Sequence, residues 1–336
     1  MPEQAGKPVD IFLLSGFLGS GKTSLIRRLL KEPALADTAL IINEFGEIGL
    51  DQLFVRSAVE NTLLLENGCV CCSIRGDLTD TISELLAREA NGDIAAFSRI
   101  IVETTGLADP GPVVSELKGL RGLLRPVRLA KVIVTVDGVL GAEQLHGSDE
   151  AIAQVAQADL CLITKTDIVD ANLVNALADS LRAMNPAARV ELLRPGAVDV
   201  ARLLAPEAPM ARAPRSYRLR LGRPAVRHRG IETWSRELVA PLSWPRIRNW
   251  LDLLYSLRAA NLIRMKALLN LADQSAPVVV HGVGPMVTPP EILEGWPTVR
   301  PLSRLVVITR NMPVNLVERS FKAIVDIDPA PIENGR

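Results

Sequence analysis

Ile11-Phe-Leu-Leu-Ser-Gly16-Phe-Leu-Gly-Ser-Gly-Lys-Thr23 is an apolar run that ends in a glycine-rich loop, and the helical pattern Ser24–Leu30 follows it at once. Residues 16–23 fit G-x-x-x-x-G-K-[ST]. A buried strand, a tight loop and a helix N-terminus in that order form a phosphate cradle. The glycines let backbone N–H groups turn inward, and the helix end carries positive partial charge. A glycine-rich strand-to-helix turn of no function would share the glycines, but it has no need of Lys-Thr at the helix start. In this reading Gly16, Gly19, Ser20, Gly21 and Ser24 surround the phosphates. Lys22 reaches the β- and γ-phosphates, and the Thr23 hydroxyl takes one position on Mg²⁺.

Outward from this loop, short β-branched runs alternate with amphipathic stretches as far as about Leu193. The spacing predicts strands at Ile11–Leu14, Ala39–Ile42, Thr62–Leu65, Arg99–Val102, Lys131–Val136, Asp159–Ile163 and Arg189–Leu192, and helices at Thr23–Leu30, Leu78–Ala90 and Ala171–Met184. Continuous apolar strands separated by helices imply a parallel sheet covered on both faces. The fold class is therefore α/β, a P-loop NTPase domain with a mainly parallel, helix-covered sheet, expected over residues 1–195. An Ala- and Pro-rich connector with one short helix follows at 196–214. Residues 215–328 read as a smaller C-terminal α+β domain, with strands at Tyr217–Leu221, Val226–Thr233, Leu262–Leu271, Pro277–Val283 and Arg304–Thr309 and one clear helix from Trp244 to about Ala260. Residues 329–336 read as a tail.

Two further loops carry chemistry. Arg99–Val102 ends in Glu103-Thr-Thr-Gly106, a carboxylate at the carboxyl end of a buried strand. Beside a phosphate loop, Glu103 can hold the Mg²⁺ shell, and the Gly106 N–H can meet the γ-phosphate. An acidic residue capping the following helix is the plainer alternative. Asp159–Ile163 ends in Thr164-Lys165-Thr166-Asp167, close to the Asn-Lys-x-Asp loop with which GTPases read guanine. The Asp carboxylate accepts from guanine N1–H and the 2-amino group, which adenine lacks, and the Lys stem covers the ring. Thr164 stands where that loop has Asn.

The chain of 336 residues has four cysteines, and three crowd into Glu66-Asn-Gly-Cys69-Val-Cys71-Cys72-Ser73. Thiolates suit Zn²⁺, Cu(I), Co²⁺ or Fe²⁺ rather than Mg²⁺. Cys69 and Cys71, two apart, can chelate one ion from an extended strand, with Cys72 turned away unless the chain bends. Glu44, in Asn43-Glu-Phe-Gly-Glu-Ile-Gly-Leu-Asp51, is a candidate for a further ligand. A thiol switch is the rival, although the motif is not C-x-x-C. Cys161 lies in an apolar strand and reads as core.

Thirty-eight basic residues balance thirty-eight acidic ones, so no global charge draws the chain to nucleic acid or to an anionic membrane. No stretch reaches the ~20 apolar residues of a bilayer span. The start, MPEQAGKPVD, lacks a signal-peptide layout, which makes a cytoplasmic location the expectation. A run of seven arginines from Arg212 to Arg229, without an acidic residue among them, is either a solvated face or a docking face for an acidic partner.

The motifs SGFLGSGKTSL, INEFGEIGLD, LENGCVCCSIRGDL, IVETTGLADP and ITKTD together resemble the CobW-like family of metal-handling GTPases, relatives of the urease and hydrogenase nickel-insertion GTPases. LIRMKALLNLA, PVVVHGV, PPEILEGWP and SRLVVIT resemble that family's C-terminal domain. The resemblance implies GTP hydrolysis, and capture of Zn²⁺ or Co²⁺ at Cys69, Cys71 and Cys72 for delivery to a client metalloprotein. It also supports Glu103 for Mg²⁺, and Lys165 and Asp167 for guanine. A small-molecule kinase, or a regulatory module gated by GTP and metal, are the alternatives. Many relatives carry a His-rich tract, but this chain has three histidines.

Overall fold

A computed structural model describes residues 7–29, 32–42, 63–64, 70–73, 78–120, 122–194, 199–205, 230–297 and 300–326. The chain divides into two compact units at about residue 207.

In the first unit the elements in chain order are β1 (Val9–Gly16), α1 (Lys22–Leu29), β2 (Thr38–Ile42), β3 (Leu63–Leu64), β4 (Val70–Ser73), α2 (Leu78–Ala90), β5 (Arg99–Glu103) and α3 (Pro110–Gly119). They continue with β6 (Val127–Asp137), α4 (Gly141–Gly147), α5 (Asp149–Gln157), β7 (Leu160–Thr164), α6 (Ala171–Met184), β8 (Arg189–Leu192) and α7 (Val200–Leu204). The described strands form one sheet in the order β3-β4-β2-β5-β1-β6-β7-β8, parallel throughout except for the antiparallel β3–β4 pair.

Of β1 only Asp10 escapes burial, as a strand covered on both faces requires. Phe12 and Leu14 join Leu25, Ile26 and Leu29 of α1 in one core cluster. The same cluster takes in Val200, Leu203 and Leu204 of α7, so the short helix of the connector packs into this unit. Buried Lys131 anchors it by donating from Nζ to Leu203 O at 3.0 Å. The helix expected after Asp109-Pro110 is α3, whereas the sequence reading missed β4, a strand of four residues, and α4 and α5, whose short lengths hide their periodicity. No helix among the described residues is long and apolar enough to cross a membrane.

The second unit contains β9 (Ile231–Leu238), α8 (Trp244–Arg258), β10 (Leu262–Leu271), β11 (Gln274–Val283), β12 (Met286–Val287), β13 (Glu291–Ile292), β14 (Ser303–Arg310) and α9 (Val314–Ile324). Its sheet is antiparallel, ordered β12-β11-β10-β14-β9, with β13 also on β11. Alternate residues Met265, Ala267 and Leu269, Val278 and Val280, and Leu305 and Val307 cluster with Ile247, Trp250 and Leu254 of α8 and Val317 and Phe321 of α9. Two expectations are corrected here. The unit has a second helix, α9, whose Val314, Val317 and Phe321 lie on one face. The strand expected to end at Thr233 continues to Leu238. It starts at Ile231, just after Gly230 turns the chain at φ +79° with its carbonyl receiving Asn311 N at 2.7 Å, while positions 226–229 of the expected strand lie outside the described residues. The strand reading Tyr217–Leu221 and the arginine run lie outside the described residues.

Candidate functional site

Four loops meet at the carboxyl edge of the first sheet, because β1, β5, β6 and β7 are parallel and all end there. The first, after β1, holds Gly16, Gly19 and Gly21 at φ values of +144°, +73° and +94°, which L side chains rarely adopt. A Cβ on Gly16 would lie 2.3 Å from Thr135 Oγ1 and 2.5 Å from Thr135 O. Ser20 is buried and its Oγ lies 2.7 Å from Thr135 Oγ1.

Lys22 begins α1 and is 9% exposed. Its Nζ donates to Gly16 O at 2.7 Å and to Phe17 O at 3.3 Å, so the ammonium curls over the loop and keeps a third hydrogen for a ligand. Burial lowers its pKa, and the charge of Glu103 opposes that shift. Thr23 and Ser24 are exposed on the first turn of the helix.

Glu103 ends β5 and is 8% exposed. The next residue is fixed twice, with Thr104 N donating to Leu14 O at 2.9 Å and Thr104 Oγ1 to Ser15 Oγ at 2.9 Å. Gly106 lies so close to the phosphate loop that a Cβ there would meet Leu18 Cδ2 at 2.6 Å and Leu18 N at 2.9 Å. Asp109 caps α3 by accepting from Gly111 N at 2.9 Å. The capping alternative considered for Glu103 therefore belongs to Asp109.

Thr164, at the end of β7, gives its hydroxyl to Ser20 O at 2.8 Å, with Val136 O at 3.3 Å. The residue standing in for Asn thus ties the two loops together directly. Lys165 has φ +54°, unusual for a residue with a Cβ. Its Nζ reaches Asp137 Oδ2 at 2.6 Å. Asp167 is exposed two residues on.

Asp137 is the residue the sequence reading missed. It ends β6, is fully buried, and its Oδ1 accepts from Val139 N at 2.8 Å and Leu140 N at 3.2 Å. Gly138 N donates to Thr164 O at 3.0 Å, and a Cβ on Gly138 would lie 2.5 Å from that oxygen. The turns after β6 and β7 are therefore fused. A signal existed, since Val132-Ile-Val-Thr-Val-Asp137 repeats the pattern of Arg99-Ile-Ile-Val-Glu103, a buried strand closing on a carboxylate.

Burial alone would raise the Asp137 pKa. The Lys165 hydrogen bond, the Leu140 and Val139 N–H groups and the Lys165 charge outweigh it and lower the pKa below 3.8. A lowered carboxylate pKa adds stability above the ordinary value, and that stability is lost as pH falls through the folded value. Asp137→Asn leaves buried donors poorly matched and should cost about 1–3 kcal/mol at neutral pH. Thermal unfolding should show wild type and variant converging as the pH drops below 3.8.

Cys71 and Cys72 lie on β4, paired through the backbone with Leu40 and Ile41 of β2. Cys69 and Glu44 lie outside the described residues. Cys161 is buried in β7.

A glycine cradle over a buried lysine, a buried carboxylate at the end of the neighbouring parallel strand and a Lys-x-Asp turn beyond define a P-loop nucleotide-binding protein. The family model described as CobW/HypB/UreG, nucleotide-binding domain, matches residues 10–191, and the cobalamin synthesis protein cobW C-terminal domain matches residues 231–325. The chain belongs to the CobW/HypB/UreG family of P-loop GTPases. It is 30% identical over 323 residues to the zinc chaperone YjiA of Escherichia coli (strain K12), an alignment spanning 94% of this chain and 99% of that one. With a zinc chaperone CobW of a Sinorhizobium species it shares 31% identity over 197 residues, 50% of this chain and 54% of the relative. The crystal structure of Zn(II)-bound YjiA from E. coli matches with a TM-score of 0.77 at 29% identity, over 95% of this chain and 99% of that chain.

Proposed function

We infer that this chain is a GTP-dependent metallochaperone, which binds a transition-metal ion as cargo at its Cys-Val-Cys-Cys segment and hands it to a client metalloprotein. Zn²⁺ is favoured over Co²⁺ because relatives similar to this chain are named zinc chaperones. The observation that carries the reading is the register of three strands. Ser73, next to Cys72, pairs with Ile42, and Ile42 pairs on its other side with Glu103. At about 4.8 Å per strand, the backbone at the end of the cysteine strand lies about 10 Å from the backbone of Glu103, the residue assigned to the nucleotide site.

In this reading Gly16 to Thr23 and Ser24 take the phosphates, and Thr164, Lys165 and Asp167 take guanine. Asp137 holds Lys165 in place. The Gly16 cradle and the buried Lys22 suit a polyphosphate, while Thr23 and Glu103 would hold Mg²⁺. When bound, Mg²⁺ supplies positive charge to the phosphate oxygens during hydrolysis. Cys69, Cys71 and Cys72, with Glu44, take the cargo ion. The client is a metalloprotein that meets the C-terminal domain, with the arginine run as a candidate contact for an acidic surface. The location is the cytoplasm, where thiols stay reduced.

Nucleotide and cargo should then be coupled. If GTP orders the segments that carry Glu44 and the cysteines, the metal no longer bears that ordering cost, and the effect is reciprocal. Competition with a chromophoric chelator should show Zn²⁺ or Co²⁺ binding tightened by roughly 5- to 150-fold with a GTP analogue relative to GDP. Co²⁺ thiolate bands should disappear in a Cys69, Cys71, Cys72→Ser triple variant. Equal metal affinities with the analogue, with GDP and without nucleotide would refute the mechanism.

A further inference from the structure

The segment between Glu103 and α3 is held from an unexpected side. Gln154, on α5, is 1% exposed. Its carboxamide nitrogen donates to Gly106 O at 3.1 Å and to Ala108 O at 3.1 Å, so both amide hydrogens of one side chain go to one turn. The helix behind it is a fixed support. Every residue from Ala151 to Gln157 is buried, and Ser148 caps the helix start by accepting from Ala151 N at 3.2 Å. At its ends the turn is pinned by Thr104 to β1 and by Asp109 to α3. Between those pins lie the Ala108 N to Thr105 O bond at 3.3 Å, the packing of Gly106 on Leu18 and the two bonds from Gln154.

We propose that Gln154 is a positioning residue for hydrolysis, one that clasps the Gly106 turn against the phosphate loop and so sets where that turn meets the terminal phosphate. A buried glutamine that merely satisfies two carbonyls would matter equally for every bound nucleotide, or only for stability. A clasp on this turn predicts something narrower. In the proposed reading the phosphate loop meets all the phosphates, and neither Gln154 hydrogen bond ends on that loop. The turn after Glu103 faces only the last of them. This inference rests on the reading of Glu103 to Gly106 as the segment that meets the γ-phosphate.

The test is Gln154→Met, which keeps length and volume and removes both donors. Steady-state GTP hydrolysis gives kcat and KM, and calorimetry gives the Kd of GDP and of a non-hydrolysable GTP analogue. A misplaced turn should lower kcat by at least about tenfold. It should weaken the analogue while leaving GDP affinity as in wild type. An equal change in the affinities of analogue and GDP, or an unchanged kcat, would overturn the clasp. If Gln154→Met does not fold, Gln154→Asn serves in its place, because it keeps a donor but is one methylene too short to reach both carbonyls. Failure of the nucleotide reading looks different, since the wild-type protein itself would then neither hydrolyse GTP nor bind GDP.

Discussion

Lys22→Met should leave a folded protein whose GTP turnover is lower by at least about a hundredfold, the usual effect of removing one charged donor from a developing oxyanion. The ammonium is poised for this task by its own loop. Gly16 O and Phe17 O take two of its hydrogens and aim it into the cradle, and burial leaves it little water to replace. The same geometry predicts that the substitution spares stability. Burial lowers the Lys22 pKa, with Glu103 only partly opposing it, so the folded protein holds this charge less willingly than the unfolded chain. Well below the folded pKa both states are protonated and the folded state bears the full desolvation penalty. As pH rises through the folded pKa the native state sheds its proton first, and that penalty is relieved until the unfolded lysine titrates near 10.5. Lys22→Met removes the penalty together with two hydrogen bonds. The net change at neutral pH should therefore stay within about 1 kcal/mol. Its stability relative to wild type should be greatest at neutral pH and decline toward pH 10. The checks are a single-turnover assay with thermal unfolding across that range. Wild-type turnover in the variant would remove Lys22 from the phosphate site.

What the sequence disclosed of this site follows from how each part is encoded. Ile11–Thr23 was legible because strand, glycines and lysine are consecutive, so one stretch of chain specifies the whole cradle. Glu103 and the Thr164–Asp167 turn were legible because each follows an apolar run. Asp137 also closes an apolar run, but neither its role nor that of Gln154 was legible, since their partners are supplied by the fold. Asp137 meets Lys165 only because β6 and β7 are parallel neighbours with Asp137 opposite Thr164. Gln154 meets Gly106, 48 positions away, only because α5 packs behind that turn. The second unit shows the same division. Leu262–Leu271 announces itself by length and apolar content. The helix α9 is marked mainly by a three-residue spacing, Val314 to Val317, and a four-residue one, Val317 to Phe321. Its clearest signature is tertiary: Phe321 lies at centroid distances of 5.2 Å and 5.1 Å from Trp234 and Trp250.

Gly16→Ala should be the more damaging change, because it attacks shape rather than charge. Two neighbouring glycines make the comparison. Gly19 has φ +73° but open space where a Cβ would go, so alanine there meets only backbone strain, about 1–2 kcal/mol. Gly16 has φ +144° and no space at all. The added carbon would lie 2.5 Å from Thr135 O, a backbone atom of the strand directly paired with it, and 2.3 Å and 2.7 Å from the Thr135 and Ser20 hydroxyls. A flexible side chain could swing aside, but Thr135 O is held in the centre of the sheet. The strain must therefore move the loop or part β1 from β6 at its carboxyl end. Either response displaces Ser20 from Thr135 and so loosens the Thr164 tie, which ends on Ser20 O. The expected loss is about 3 kcal/mol or more in unfolding free energy. GDP binding should be abolished in whatever protein remains folded, whereas Lys22→Met should still bind GDP. Denaturant unfolding and calorimetry of the two variants side by side would separate the cradle's form from its charge. A Gly16→Ala protein with wild-type stability and GDP affinity would mean that the loop does not sit against β6 as described.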